Sequence, residues 1–432
     1  MYIDKVILKN IRGFESLEFQ LGRGDGKYAG WTVFTGDNGA GKSTLLKAIA
    51  VALIGRDVAR SLQPSFHRWI REGAGQQEAK IELMILPEKG IDEFSGQGNT
   101  AYKKFPASVI LKNGSKDTAV ELPASTGSKT TLVQRGLWAP ASRGWFSCGY
   151  GPFRRVFGAS QEATRLMVSP TTERFVTMFQ EAASLFEVDQ WLRNLSHKKL
   201  EGRSPESEEQ LNLLLEILRD DLMPNQITVD RVDSDGLWLK DRNGLQLAWG
   251  EMSDGYRAAL ALLADILRHL IAAYGIHGLA ERGQDGKLKI VRSGVVMIDE
   301  IDAHLHPEWQ REIGFWLKRH FPNIQFLVTT HSPIICQAAD ENGLFVLPEP
   351  GSGDRPRALT TDEYKTVIAS RPDTILLTPA FGLQNTRSPR AVEGRAEYAK
   401  LMAKQRAGGK LTKEEQGQVK QLQLFAITDE EL

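Results

Sequence analysis

A glycine-rich segment near the N terminus has the residues of a phosphate-binding loop. Residues 36–44 read Gly-Asp-Asn-Gly-Ala-Gly-Lys-Ser-Thr, which fits the spacing G-x-x-x-x-G-K-[ST]. Glycines allow backbone N–H groups to turn inward around phosphate oxygens, an approach that a Cβ would block. Lys42 can place its charge on the β- and γ-phosphates, and the Ser43 hydroxyl is a hard oxygen ligand for Mg²⁺. The pattern predicts that a nucleoside triphosphate and Mg²⁺ bind at this loop.

Two acidic residues follow an apolar segment in the C-terminal half. Val295–Ile298 predicts a buried strand, and Asp299 and Glu300 come directly after it. Ligands gather at the carboxyl ends of the strands of a parallel α/β sheet, so both acids should lie beside the phosphate loop. We expect Asp299 to hold Mg²⁺, directly or through water, and Glu300 to orient and deprotonate the attacking water. The alternative is that both acids only stabilise the start of a helix.

A histidine and a serine–glycine segment complete the set of candidate residues. His331 follows the apolar strand Phe326–Val328. It either donates a hydrogen bond to the γ-phosphate or has a structural role only. Ser253 and Gly255 lie in the segment Ser253–Arg257, which opens a long helix upstream of the acids. By itself this segment fits an N-cap serine and a glycine at a helix start, so its order among the other elements is what makes it informative.

The order of these four elements resembles that of the ABC-type ATPases of the RecF, SMC and OLD families. The resemblance covers residues 1–60 and 225–350. It implies an α/β fold: a P-loop NTPase head of ABC type with a mixed or parallel sheet, an antiparallel β subdomain and an inserted helical lid. In that family the serine and glycine of one subunit cap the γ-phosphate held by the phosphate loop of the other. The resemblance therefore implies an ATP-hydrolysing homodimer, with a larger assembly left open.

The resemblance also assigns roles residue by residue. Arg12 matches a nucleotide-contacting N-terminal arginine, Met252 replaces the usual leucine, and Asp302 falls on a loop that communicates across the dimer. The residues expected to contact ATP are Arg12, Asp37, Asn38, Gly39, Ala40, Gly41, Lys42, Ser43, Thr44, Ser253 and Gly255. Catalysis is expected from Lys42, Glu300 and His331, and Mg²⁺ binding from Ser43 and Asp299. Gln161 is a candidate for the glutamine that usually senses the nucleotide.

The pattern of apolar residues predicts the elements that must position these groups. A strand over Trp31–Phe34 should lead into the phosphate loop, with a helix over Ser43–Ile54 after it. The remaining predictions are antiparallel strands between 79 and 111, helices over 172–222 with a loop at 201–209, three short strands over 227–249, helices over 254–274 and 307–319, and a strand over 324–328. The predicted domains are 1–150 with the phosphate loop and β subdomain, 151–224 as a helical insert, 225–352 as the second ATPase lobe, and 353–432 as a helical extension.

Composition narrows the class of protein. Lys and Arg together number 54, as do Asp and Glu, so the chain has no overall basic charge of the kind that marks non-specific nucleic-acid binders. The two cysteines, Cys148 and Cys336, are too few for a disulfide framework or a four-cysteine zinc site. The N terminus lacks the layout of a signal peptide, and no apolar run is long enough to span a bilayer. We expect a soluble cytoplasmic protein.

The function beyond ATP hydrolysis has three candidate readings. The segments Ser253–Arg257 and Tyr150–Arg155 together look like those of the compact ATPases of bacterial anti-phage systems of the Septu, retron-associated and OLD-like types. In those systems the ATPase works with a separate nuclease or toxin. A RecF-like DNA repair ATPase is the alternative, because adjacent arginines after a strand could also line a nucleotide or nucleic-acid surface. The insertion in the cassette disfavours a membrane transporter subunit. The sequence shows no intrinsic nuclease, and the helices beyond residue 353 either dock a partner or form a solvated hairpin.

Overall fold

Two β-sheets with a helix between them position the candidate residues in a computed structural model of the chain. The model describes residues 1–24, 26–73, 78–96, 102–114, 117–123, 128–140, 142–154, 169–202, 204–223, 226–349 and 351–426. The strands are β1 (Tyr2–Ile11), β2 (Phe14–Gln20), β3 (Gly30–Gly36), β4 (Glu78–Leu86), β5 (Phe105–Asn113), β6 (Thr118–Glu121), β7 (Ser147–Tyr150), β8 (Thr228–Asp233), β9 (Gly236–Lys240), β10 (Gln246–Ala248), β11 (Ala280–Arg282), β12 (Leu288–Ile290), β13 (Gly294–Ile298), β14 (Ile324–Thr329), β15 (Leu344–Leu347) and β16 (Arg357–Ala358). The α-helices of the described residues are α1 (Lys42–Leu62), α2 (Ser128–Arg135), α3 (Pro170–Glu173), α4 (Val176–Phe179), α5 (Phe186–Leu200), α6 (Pro205–Arg219), α7 (Asp254–Tyr274), α8 (Pro307–His320), α9 (Pro333–Cys336), α10 (Thr361–Ala369), α11 (Pro372–Leu376), α12 (Pro389–Arg406) and α13 (Lys413–Ala426).

A six-stranded sheet carries the phosphate loop and the acids. Its strand order is β16-β15-β3-β14-β13-β7, and only β16 runs antiparallel to its neighbour. The inner strands are buried on both faces, which explains why β13 and residues 326–328 of β14 are continuously apolar. Ile298 pairs with Val328, and Thr329 pairs with Phe34. The carboxyl ends of β3, β14 and β13 therefore meet at one edge, as the sequence predicts.

A five-stranded antiparallel sheet covers the other side of α1. Its order is β2-β1-β4-β5-β6, and alternate residues of β1 and β4 are buried, as expected of strands with one solvated face. Apolar residues of α1 join both sheets in one hydrophobic core. The helix is interrupted at Gly55, which has φ +76°, and a Cβ there would lie 3.0 Å from the ring of Trp138. The predicted α/β fold with a mixed sheet and an antiparallel β subdomain is confirmed.

The helical insert differs from its predicted form at one boundary. The sequence predicts a loop over 201–209, but α6 begins at Pro205. Ser204 caps it by accepting a hydrogen bond from the Ser207 N–H, and proline at the first helical position is compatible with helix. Residues 205–209 therefore belong to the helix, whereas the described residues 201, 202 and 204 lie outside it, as predicted. The three short strands that follow form the predicted small sheet, in the order β10-β9-β8.

The chain divides into two units, Met1–Ser370 and Arg371–Leu432. The sequence places the start of the extension at residue 353. The division falls later because β16 pairs with β15, and the Tyr364 hydroxyl in α10 donates to the carbonyl of Ala339. In the second unit, Ser388 caps α12 by accepting a hydrogen bond from the Ala391 N–H, and Thr412 and Glu415 form a capping box at the start of α13. Among the described residues, no helix is both long enough and apolar enough to cross a bilayer.

Candidate functional site

The phosphate loop connects the end of β3 to the start of α1. Gly36, Gly39 and Gly41 have φ values of +145°, +82° and +93°. A Cβ on Gly41 would lie 2.6 Å from the ring of Phe14, and one on Gly36 would lie 2.3 Å from the carbonyl oxygen of Leu347. At these two positions only glycine fits the space that the neighbouring elements leave. The backbone thus has the form that a phosphate cradle needs, with the positive end of α1 directly behind it.

Lys42 lies within this loop. Its Nζ donates to the carbonyl oxygens of Gly36 and Asp37 at 2.8 and 2.9 Å. Burial lowers the pKa of Lys42, while the negative charges of Glu300 and Asp299, followed by those of Asp37 and Asp302, act in the opposite direction. The structure therefore brings the loop lysine and the acids after β13 into electrostatic range of each other.

One threonine hydroxyl connects the two acids. Thr329 Oγ1 donates to Asp299 Oδ1 at 2.6 Å and accepts the Glu300 N–H at 2.7 Å. Glu300 has φ +47°, in the left-handed region that L residues rarely occupy. The neighbouring Thr330 hydroxyl donates to Asp302 Oδ1. Sequence reasoning gave no role to these threonines, although their position at the end of a strand expected beside β13 is a usable signal.

His331 lies directly after β14, between the ends of β3 and β13 in the sheet order. Its side chain is exposed at that edge. Ser332 caps the short helix α9 by accepting from the Ile334 N–H. His331 thus follows the strand next to the one before Asp299, because β14 pairs with β13 in parallel. Its proposed contact with a γ-phosphate stays a prediction.

A second group of cations lies along the outer side of the loop. Arg12 Nη1 donates to Thr44 Oγ1 at 3.3 Å, and its guanidinium carbon lies 4.8 Å from the centroid of the Trp69 ring. Lys47, one turn further along α1, was not singled out from the sequence. Burial lowers its pKa, the negative charge of Asp299 opposes that shift, and the positive charge of Arg12 adds to it. Arg12 and Lys47 thus extend the positive surface beyond the loop itself.

Ser253 and Gly255 lie on a different surface, at the start of α7. Ser253 occupies the N-cap position, but its side chain makes no capping hydrogen bond. A Cβ on Gly255 would lie 2.3 Å from the carbonyl oxygen of His304, so this helix packs directly on the loop that follows the acids. Residues 36–44, all of them described, contribute nothing to the lining of the cavity of about 450 Å³ found here. The cavity is lined by Ser253, Asp254, Gly255, Tyr256, His304, Leu305, His306 and Trp309.

The donor set fits Mg²⁺ bound together with a nucleotide. Mg²⁺ typically takes one or two protein oxygens and completes its shell with phosphate oxygens and water. Ser43 offers a hydroxyl on the loop, and the buried Asp299 offers a carboxylate with one oxygen already hydrogen-bonded. Within the described part of the chain, no three His, Cys, Asp or Glu side chains form a protein-only metal site. Gln161, the candidate sensing glutamine, and Arg155 lie outside the described residues.

Comparison with known proteins identifies a matching AAA-domain family and relatives from Septu and retron systems. Residues 31–337 match the family described as "AAA domain, putative AbiEii toxin, Type IV TA system". The Septu protein PtuA of Bacillus mycoides (strain KBAB4) is 24% identical over 389 residues, which cover 89% of this chain and 45% of that protein. The Retron Ec83 probable ATPase of Escherichia coli is 41% identical over 109 residues, covering 25% of this chain and 18% of that protein. The resemblance to Septu and retron-associated ATPases predicted from the sequence is confirmed.

The matches differ in extent. The chain spans less than half the length of these two curated relatives. Among solved structures, a crystal structure of an SMC head bound to the C-winged helix domain of ScpA aligns with a TM-score of 0.48 and 16% sequence identity. That alignment covers 85% of this chain and 100% of the other.

Proposed function

The chain belongs to the AAA-domain family that its residues 31–337 match, and we propose that it binds ATP with Mg²⁺ at residues 36–44 and hydrolyses it. The observation that carries the proposal is the Thr329 hydroxyl, which holds Asp299 and the backbone of Glu300 at the edge of the sheet where the phosphate loop begins. Lys42, within range of both carboxylates, supplies the positive charge that this edge needs to accept a triphosphate.

Each side chain has a distinct task in this proposal. Lys42 exchanges its carbonyl partners on the loop for oxygens of the β- and γ-phosphates. Ser43 and Asp299 would hold Mg²⁺, which neutralises charge on those oxygens when bound. Glu300 is half-buried and backbone-anchored, so its carboxylate can accept a proton from a water aligned with the γ-phosphate. His331, exposed at the same edge, donates a hydrogen bond to the γ-phosphate.

The second part of the proposal is that two copies share each ATP. Ser253 leaves its own helix uncapped, so its hydroxyl and the first N–H groups of α7 stay available to an anion. They line a cavity to which the phosphate loop of the same chain contributes nothing. An anion held by the phosphate loop of a second copy satisfies both conditions. Such a site is complete only while ATP bridges the copies, so hydrolysis releases the pair.

The third part concerns biological role. We propose that the chain is the regulatory ATPase of an anti-phage defence system and controls a separate nuclease or toxin. The support is its similarity to the Septu and retron relatives. In the second unit, most of the described side chains of α12 and α13 are exposed, and Gly394 is the one buried residue of α12. A pair of helices with so little apolar burial gains little stability by itself, which suits a docking element.

Glu300→Gln tests the catalytic proposal. The variant should bind ATP, form dimers with it and release phosphate at least about 100-fold more slowly, because the amide cannot accept the proton from water. Phosphate release and light scattering after size-exclusion chromatography, each with and without ATP, give both readouts. Glu308→Gln is the matched control, since Glu308 is an exposed acid at the start of α8. Hydrolysis by Glu300→Gln at the wild-type rate would show that another group is the base.

Deleting residues 371–432 tests the docking proposal. The larger unit ends at Ser370, so the truncated chain should retain ATP hydrolysis and lose co-purification with a nuclease or toxin encoded beside it. A complex that survives the deletion removes the second unit from the proposal. Loss of ATP hydrolysis together with the complex would mean that the second unit serves the ATPase itself.

The DNA-binding alternative stays a prediction, and the charges on the antiparallel sheet give it little support. Lysines on the solvent-facing side of this sheet lie next to glutamates, so the described strands there show no continuous basic stripe. The pairs are Lys5–Glu18 at 2.6 Å, Lys80–Glu82 at 2.8 Å and Lys112–Glu121 at 3.2 Å. DNA binding by the isolated protein, dependent on ATP and falling steeply with salt, would restore the alternative.

A further inference from the structure

Arg154 lies four residues after the end of β7 and has no role in the mechanism proposed above. Arg154 is only 4% exposed, although the sequence allowed the adjacent arginines to line a nucleotide or nucleic-acid surface. For Arg154 that reading is wrong. Strand β7 pairs in parallel with β13, and this pairing carries the Arg154 side chain beneath the loop after the two acids rather than outward to solvent.

The Arg154 guanidinium is bound by main-chain carbonyls. Nη1 donates to the carbonyl oxygens of Gly151 and Asp299 at 3.0 and 2.7 Å. Nη2 donates to the carbonyl oxygen of Glu300 at 3.0 Å and lies 3.4 Å from those of Ile301 and Ala303. The planar guanidinium thus reaches the carbonyls of residues 299, 300, 301 and 303 at once. The compact ammonium group of a lysine cannot make this set of contacts.

The loop that Arg154 holds has an unusual backbone. Glu300 and His304 have φ values of +47° and +68°, a region where a Cβ crowds the backbone. Such conformations persist when surrounding groups over-determine them. The Glu300 N–H is held by Thr329, and the Glu300 carbonyl is held by Arg154. The peptide groups on both sides of the Glu300 Cα are therefore fixed, and with them the direction of its side chain.

Charge leads to the same assignment. Burial lowers the pKa of Arg154 to about 10, and the negative charges of Asp299, Asp302 and Glu300 limit that fall. The guanidinium remains a cation at neutral pH. It therefore offsets the mutual repulsion of the three carboxylates at this edge of the sheet. Arg154 follows β7 and Lys42 follows β3, so the two cations lie on opposite sides of β13 in the strand order.

We propose that Arg154 is a positioning residue for ATP hydrolysis. It fixes the Glu300 carboxylate by bonding to the carbonyls on either side of it, so turnover depends on Arg154 while ATP binding at residues 36–44 does not. This inference rests on the proposed function, because it needs Glu300 to act on the attacking water. The Arg154 guanidinium is bonded to main-chain carbonyls beneath the acids, so its loss should change kcat rather than KM.

Arg154→Lys in the full-length chain is the test, with Arg23→Lys as the matched control. Arg23 is also a buried guanidinium, but it bonds to the carbonyl of Ala29 and the hydroxyl of Thr32 before and within β3, at the end of the sheet away from the site. We expect Arg154→Lys to lower kcat about 10- to 100-fold, the usual consequence of misplacing a catalytic group by about 1 Å. Its dissociation constant for a fluorescent ATP analogue should stay within about threefold of wild type, and Arg23→Lys should keep kcat.

Arg154→Ala tests the same role of the guanidinium in a case where lysine at this position disturbs folding. Arg154→Ala leaves room for a guanidinium ion, so millimolar guanidinium chloride should restore turnover in that variant and should leave the turnover of the control Arg23→Ala unchanged. Wild-type turnover by a folded Arg154→Lys, or absence of rescue in a folded Arg154→Ala, overturns the inference alone. Equal losses of kcat and ATP affinity also overturn it, since they indicate a structural role only. Absence of ATP turnover in the wild type overturns the proposed function together with this inference.

Discussion

Replacing Thr329 with valine removes a single hydroxyl that touches both acids of the site. The side chain is 0% exposed in β14, so the change leaves no large cavity and no new surface. It abolishes the hydrogen bond to Asp299 Oδ1 and the acceptor of the Glu300 N–H. Both the stability of the protein and the position of the acids should respond.

The expected loss of stability follows from the two groups that lose their hydrogen bond, the Asp299 carboxylate and the Glu300 N–H. A hydrogen bond to a charged carboxylate contributes about 1.5–3 kcal/mol, and a buried N–H without an acceptor costs about 1–3 kcal/mol. Glu300 is half-buried, so water can satisfy part of its N–H. We expect Thr329→Val to lower the free energy of unfolding by about 2–4 kcal/mol. ATP turnover should fall as well, because Asp299 and Glu300 lose their common anchor.

Thr35 provides a matched control on a neighbouring strand. It is also 0% exposed, in β3 of the same sheet, yet its Oγ1 has no hydrogen-bond partner among the residues that the structure describes. Burying a hydroxyl without a partner costs about 1–3 kcal/mol. Thr35→Val should therefore leave stability unchanged or raise it by about 1–2 kcal/mol, and should leave ATP turnover unchanged.

Urea-induced unfolding followed by tryptophan fluorescence measures both variants on one scale. The comparison requires equal m-values, so that a shift in midpoint reports stability alone. The two variants should shift in opposite directions, or only Thr329→Val should shift. Identical midpoints for Thr329→Val and the wild type would refute the hydrogen-bond reasoning. Equal losses in both variants would mean that valine is poorly tolerated in this sheet for reasons of packing.

Two further predictions test other parts of the structure. Gly255→Ala should abolish ATP-dependent dimerisation while ATP binding persists, because the added Cβ would lie 2.3 Å from the carbonyl oxygen of His304; Gly250→Ala, whose Cβ meets nothing within 4 Å, should dimerise normally in light scattering. Burial, with hydrogen bonding to and repulsion from Glu173, raises the pKa of Glu187 from 4.5 to about 7. The folded state therefore holds a proton that the unfolded chain releases, and the stability gained is full below pH 4.5 and lost as the pH rises through 7. Glu187→Gln should melt above wild type at pH 8 and close to it at pH 4.5, and an equal difference at both pH values would contradict this assignment.

Local patterns in the sequence were sufficient for most of the fold and for the main candidates. Residues 36–44 form a contiguous motif whose neighbours decide its meaning, and the apolar runs before Asp299 and His331 predict strands directly. The sequence does not predict the start of α6, because a polar stretch that contains Gly202 and Pro205 favours a loop. There the capping serine and the proline determine the structure, and the solvated face of the helix explains the charges.

Contacts between distant segments could not be predicted in this way. Arg154 follows a short strand whose partner, β13, lies far along the chain, and no local pattern states which strands pair. Two adjacent arginines after a strand can lie on an exposed binding surface, or they can be buried and donate hydrogen bonds to main-chain carbonyls. Thr329 presents the same difficulty, since its two hydrogen bonds exist only because β14 lies beside β13. These residues act through tertiary pairing, and the structure is needed to see them.

Three contacts connect α7 to the loop that carries the acids. One lies at the start of α7, one lies between that loop and the end of β7, and one joins the end of β7 to the middle of α7. Gly255 packs on the carbonyl of His304, and Arg154 holds the loop before His304 from the end of β7. At that same end of β7, the buried Tyr150 hydroxyl donates to Asp265 in the middle of α7. Close-packed groups of this kind shift between discrete arrangements rather than deform freely. In the proposed dimer, an anion at Ser253 that displaces α7 would act on the backbone that carries Glu300 through Gly255, and on the strand before Arg154 through Asp265. We propose that these contacts couple the cavity at Ser253 to the acids, as hydrolysis by the proposed dimer requires.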